Sequence, residues 1–292
     1  MDLIFAPQLL RARKRRALAA REEGAGFLMR RTAEDLMDRL ATVERRFPRA
    51  AAVFCLTADA ADAIVESGKA DEVVRVEADE RLLDGGYEGR LAAPETVPLP
   101  AESLDLAVSL LTLHETNDTP GLLLQIRRAL KPDGLFLAAL AGAGTLQELR
   151  ESLLQAETEI SGGAAPRVSP FADVRDTGAL LQRAGFALPV TDLETLTVRY
   201  STMFDLMRDL RAMGATSALA ERSRRPATRA LFLRAAEIYQ ERFADPDGRI
   251  RATFNIVWMS GWAPHTSQQK PLKPGSAKVS LKSALSGGKD ES

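Results

Sequence analysis

Cysteine and histidine are scarce in this 292-residue chain, and neither sign of charge is in excess. The single Cys55 excludes an internal disulfide. With only His114 and His265 beside it, no Cys/His cluster reads as a zinc site. The 39 basic and 40 acidic residues leave a net charge of -1, which gives no global reason to expect nucleic acid or an anionic membrane as partner. No apolar run approaches the roughly 20 residues that a bilayer span needs. The opening "MDLIFAPQLLRARKRR" places its charges after its apolar residues, unlike a secretory signal, so the expected compartment is the cytoplasm. Glycine is missing from one particular place. The stretch "AAVFCLTADAADAIVESG", residues 51–68, reads as strand, loop and helix with none before Gly68.

What is present is a long alternation of elements. Hydrophobic residues make up 45% of the chain, enough for one large core or two modest ones. Residues 1–48 carry helical periodicity and close at Pro48, which suggests an N-terminal helical extension. The basic residues from Arg11 to Arg21 could meet an acidic partner or a membrane surface, though a solvated helix face is the simpler reading. From Ala51 onward, short apolar runs alternate with helices, the pattern of a parallel sheet covered on both faces. "AAVFCL", "EVVRV", "GRLAA", "LDLAVSLL" and "LFLAAL" are the first five strands. Asn117 or Asp118 caps the helix of "NDTPGLLLQIRRAL", with Pro120 in its first turn. Two helices, the strand "LETLTVRY", two more helices over about 201–247 and the strand "IRATFNIVWMSGW" complete a domain over 49–263. Residues 264–292 read as an extension that ends in a disordered tail.

The segment "SLDLAVSLLTLHETNDTPGLLLQIRRALKPDGLFLAAL" resembles the strand-four to strand-five half of a class I S-adenosylmethionine-dependent methyltransferase. The blocks "GTLQELRESLLQAETEISGGAAPRVSPFADVRDTGALLQRAGF", "YSTMFDLMRDLRAMG" and "GWAPHTSQQKPLKPGSA" resemble, more narrowly, the methyltransferase-like family that includes complex I assembly factor five. This likeness runs from about Ile4 to about Leu281. It implies an α/β fold, a Rossmann-like mixed sheet of seven strands with the last antiparallel, helices added at the N-terminus and a helical insertion before the last strand. It also implies a protein partner such as a complex I subunit, and one branch of the family is credited with hydroxylating an arginine. Fold alone does not choose between these reactions.

The resemblance also implies where the cofactor would lie. Alignment on Phe47, Pro48 and the cysteine puts the acid of strand one at Ala52 and the loop glycines at Phe54, Leu56 and Ala58. Bulk at Phe54 and Leu56 is expected to fill the cofactor's space, and a residue with a Cβ resists the positive φ of such loops. S-adenosylmethionine binding is therefore expected to be weakened or lost. Glu77 stands where the fold wants a carboxylate for the ribose hydroxyls, and Ala93 where an Asp would meet the adenine amino group. His114, just past strand four, lies where substrate meets cofactor and could act as a general base or serve only as a structural hydrogen-bonder. His265 and Gln268 could dock a partner or brace the tail; Trp258 and Trp262 read as core, as do Met203, Met207 and Met213. Three readings stay open: a non-catalytic assembly factor, an active methyltransferase and an arginine hydroxylase.

Overall fold

The computed structural model describes residues 3–269 apart from Arg21, Gly85, Ala164, Arg224 and Arg225. The expected tail from 270 onward lies outside the described residues. Seven strands form one sheet: β1 (Arg49–Val53), β2 (Glu72–Glu77), β3 (Glu88–Leu91), β4 (Leu104–Leu110), β5 (Leu130–Ala141), β6 (Ala187–Tyr200) and β7 (Ile250–Trp262). Their spatial order is β3-β2-β1-β4-β5-β7-β6. Pairing is parallel from β3 to β5, and β7 runs antiparallel to both β5 and β6. The sheet is thus the mixed, Rossmann-like one that the resemblance implied. Connections leave β1 toward β2 on one side and return to β4 on the other. That reversal opens a crevice beyond the carboxyl ends of the strands.

Strand periodicity builds two of the three cores. Ala50 and Ala52 face Leu36 and Leu40 of α2 (Phe27–Ala41) and Ile64 of α3 (Asp59–Glu66). Ala51 and Val53 point the other way, toward Leu123 and Ile126 of α4 (Thr119–Ala129) and Leu181 of α6 (Val174–Arg183). The third core joins α5 (Gln147–Ser161), α7 (Met203–Ala212) and α8 (Arg229–Phe243) to β7 through Leu153, Leu206, Ile238 and Phe254. Met203 is buried there, with Met207 packed at its margin, and Trp258 is buried in the first core with Trp262 against it. Caps fix the helix starts: Asp118 Oδ1 accepts from the Gly121 amide, with Pro120 in the first turn of α4, and Thr202 and Thr228 cap α7 and α8.

Three elements differ from their sequence reading. β1 stops at Val53 instead of running to Leu56, because Phe54 turns into the left-handed region and Leu56 follows it. β5 takes in the "KPDG" segment, with Asp133 at φ 64°. β6 starts at Ala187, since its first residues pair with Trp258–Trp262 of β7. The remaining helix, α1 (Pro7–Ala20), buries only Ala17. Its entry is stitched to the segment after α7: Phe5 bridges Leu219, the Ala6 amide donates to Ala218 O at 2.8 Å, and the Ala220 amide donates to Ile4 O at 2.9 Å.

Candidate functional site

The carboxyl ends of β1, β2, β4 and β5 converge under α1. Phe54 and Leu56 adopt φ of 54° and 65°, the conformation that favours glycine. The strain is held in place by hydrogen bonds at both residues. The Phe54 amide donates to Val76 O at 2.8 Å, Thr112 Oγ1 donates to Phe54 O, and the Leu56 amide donates to Glu77 Oε1 at 2.8 Å. Between them Cys55 is fully buried, its Sγ accepting from the Leu110 amide, and burial pushes its thiol up to about 12. Ala58 has ordinary right-handed backbone as the first cap residue of α3.

The expected plug is therefore corrected in two respects. Side chains with a Cβ do take the glycine-like backbone, because the bonds just named over-determine it. Nor do they fill the whole crevice, although only the smaller of its two spaces adjoins Phe54. Phe54 packs against the second core, and a cavity of about 540 Å³ opens beside Leu56, within the usual range for small-molecule sites. Leu56, Thr57, His114, Thr145, Phe171 and Met213 are among its lining residues. A smaller cavity of about 80 Å³ lies on the other side of Leu56, walled by Phe54, Glu77, Pro94 and Thr112. Lys14 of α1 lines both. Its Nζ pairs with Glu115 at 2.7 Å, and the neighbouring Arg15 pairs with Asp79 at 3.2 Å. The helix thus lies across the crevice on two ion pairs and the bond from Arg13 to Thr216 O. In sequence Lys14 reads only as one of a run of basic residues on a helix face, and Glu115 is not singled out. Glu115 adjoins His114, but nothing in local spacing announces a contact between residues 14 and 115.

Glu77 is 3% exposed at the end of β2. Burial drives its carboxyl up to about 7, against the opposing pull of Arg75, Lys14 and the amides of Leu56 and Cys55. One oxygen is already used as a brace for the loop after β1. Ala93, by contrast, is exposed, outside both cavities, and its methyl offers no acceptor. His114 stands half-buried on the cavity wall, tilted against Phe171. Its surroundings lower the imidazole pKa to about 4, chiefly by desolvation. Nδ1 accepts from the Ala141 amide at 3.3 Å, so the neutral ring carries its proton on Nε2. Such a ring can donate through Nε2 but does not present a free basic nitrogen there.

His265 and Gln268 lie at the opposite end of the sheet. Gln268 Nε2 donates to Asp133 Oδ1 and to Ala263 O, both at 2.9 Å, and Arg45 also binds Asp133. The block is a brace across the turn that opens β5, remote from the crevice. Among the described residues no group of three or more His, Cys, Asp or Glu side chains gathers to hold a metal ion, and no helix is long and apolar enough to cross a membrane.

Sheet order, the crevice at the reversal and the carboxylate ending β2 together define a methyltransferase-type Rossmann-like domain. Residues 55–138 match the family model described as a methyltransferase domain. The mouse protein named arginine-hydroxylase NDUFAF5, mitochondrial, is 38% identical over 278 residues, which is 92% of this chain and 80% of that one. The chain belongs to the family of arginine-hydroxylase NDUFAF5. The Dictyostelium discoideum relative of the same name is 48% identical over 61% of this chain, but the match spans only 41% of its own length. A malonyl-[acyl-carrier protein] O-methyltransferase of Laribacter hongkongensis is 35% identical, covering 73% of this chain and 71% of that protein. Among solved structures, a candidate methyltransferase of Bacillus halodurans superposes with a TM-score of 0.55 at 15% identity, over 79% of this chain and 98% of that one, a likeness of fold.

Proposed function

We propose that this chain is a cytoplasmic maturation factor for a protein subunit of respiratory complex I, built on a methyltransferase frame that holds S-adenosylmethionine at the strand tips. The observation that carries the reading is the 38% identity to an NDUFAF5 protein over 92% of the chain, a span that includes the helices beyond the methyltransferase match. The donor set suits the cofactor. Glu77, on the 80 Å³ cavity, offers acceptor oxygens for the ribose hydroxyls, and the 540 Å³ cavity on the other side of Leu56 gives room for the rest of the molecule. When bound, the cofactor supplies an electrophilic methyl group. The chain's own residues position and shield. His114, on the cavity wall, keeps Nε2–H as a hydrogen-bond donor, Phe171 and Met213 keep that wall apolar, and the Lys14–Glu115 pair closes α1 over it.

Two alternatives differ in what is transferred. The matched domain and the O-methyltransferase relative favour methyl transfer to a protein or small-molecule acceptor. The name of the NDUFAF5 relatives favours arginine hydroxylation, which consumes an oxidant that side chains do not supply. Mass spectrometry of complex I subunits from host cells with and without the gene separates the cases. Deletion is expected to lower assembled complex I and to remove a methyl or an oxygen increment from one subunit, or to lower assembly alone if the role is non-catalytic. Unchanged complex I with unchanged subunit masses would overturn the proposal.

A further inference from the structure

A third pocket adjoins the larger strand-tip cavity, and its walls come from helices and their connections alone. It measures about 200 Å³ and is bounded by Leu149 and Leu153 of α5, Met207 and Leu210 of α7, Phe232 of α8 and Val168. An apolar cavity of about 150 Å³ already takes up benzene from water, so this one has room for a somewhat larger apolar group. Leu146, Phe171 and Leu210 also line the strand-tip cavity, so only one layer of side chains separates the two spaces.

A charged group on the rim distinguishes the pocket from a packing defect. Arg211, at the last turn of α7, is exposed, and its side chain has no ion pair among the described residues. Arg167 on the same rim is already committed to Glu157 at 2.7 Å. An apolar interior with an unspent guanidinium at its edge is complementary to an amphipathic anion.

We propose that this pocket binds a medium-chain aliphatic carboxylate, its chain among Leu153, Met207 and Phe232 and its carboxylate accepting from the Arg211 guanidinium. The assignment stands on the pocket alone and goes beyond the strand-tip function. Titration calorimetry of the full chain with octanoate, with 1-octanol as the uncharged control, tests it. Octanoate is expected to bind at least tenfold more tightly than the alcohol. Arg211→Ala should weaken octanoate about tenfold and leave the alcohol within twofold, since a charge-assisted bond contributes about that much. Val168→Trp fills this pocket without touching the larger cavity and should abolish octanoate binding; Leu153→Phe is a second filler, each checked for an unchanged melting profile. No binding of octanoate by the natural chain, undiminished binding in the fillers, or equal losses of acid and alcohol in Arg211→Ala would each overturn the proposal.

Discussion

Replacing Glu77 by Gln probes the strand-tip crevice through stability alone. The carboxyl is buried, and its pKa stands at about 7 against an ordinary 4.5. The protonated acid is thus the form the fold tolerates. Below pH 4.5 folded and unfolded chains both carry the proton and the group contributes no pH dependence. As pH rises, the unfolded chain releases it first, so stability falls until the folded carboxyl ionises near 7 and is level beyond that. The gap between the two values corresponds to about 3 kcal/mol, of which about 2.5 kcal/mol falls between pH 5 and pH 8. Glutamine keeps an acceptor for the Leu56 amide and cannot ionise, while its NH₂ group adds a fixed cost of about 1 kcal/mol where it lacks a partner. Urea unfolding of both proteins at pH 5, 6, 7 and 8 gives the difference directly. The variant should be near neutral or slightly weaker at pH 5 and about 2 kcal/mol more stable at pH 8. A difference that stays flat across this range, or that turns against glutamine as pH rises, would refute the reasoning.

Two further outcomes follow from the same geometry. Lys14→Met removes one of the two ion pairs holding α1, and amide exchange over residues 7–20 should quicken several-fold while exchange in β1 and β4 stays unchanged; equal protection of α1 would show that the pair does not hold the helix down. The His114 imidazole, lowered from 6.5 to about 4, should remain neutral in an NMR titration from pH 8 to pH 5. Because the unfolded chain takes up that proton first, the stability His114 confers is complete above pH 6.5 and is lost as pH falls toward 4; a ring that titrates near 6.5 in the folded protein would contradict the burial argument.

Much of the fold was legible because it rests on periodic signals. Alternation in Ala50–Val53 names both faces of β1, and the Asp118–Pro120 start of α4 combines a cap with a residue that lacks an N–H. The crevice was harder to read. Bulk at Phe54 and Leu56 reads in sequence as obstruction, yet direction decides the outcome: the Phe54 ring turns to the second core, and Glu77 and Thr112, distant along the chain, hold the loop in a backbone region that such residues seldom enter. The Lys14–Glu115 contact was likewise beyond reach, since it joins residues whose proximity depends on how the N-terminal segment is stitched to Leu219. His114 was found at the expected mouth, but its tautomer depends on the Ala141 amide, which only the folded chain brings near.

The most direct test of the account is titration calorimetry of the purified chain with S-adenosylmethionine. The carboxylate of Glu77 on the smaller cavity and the open cavity on the other side of Leu56 predict one site of micromolar affinity that spans the two. An absence of binding at millimolar cofactor would contradict it.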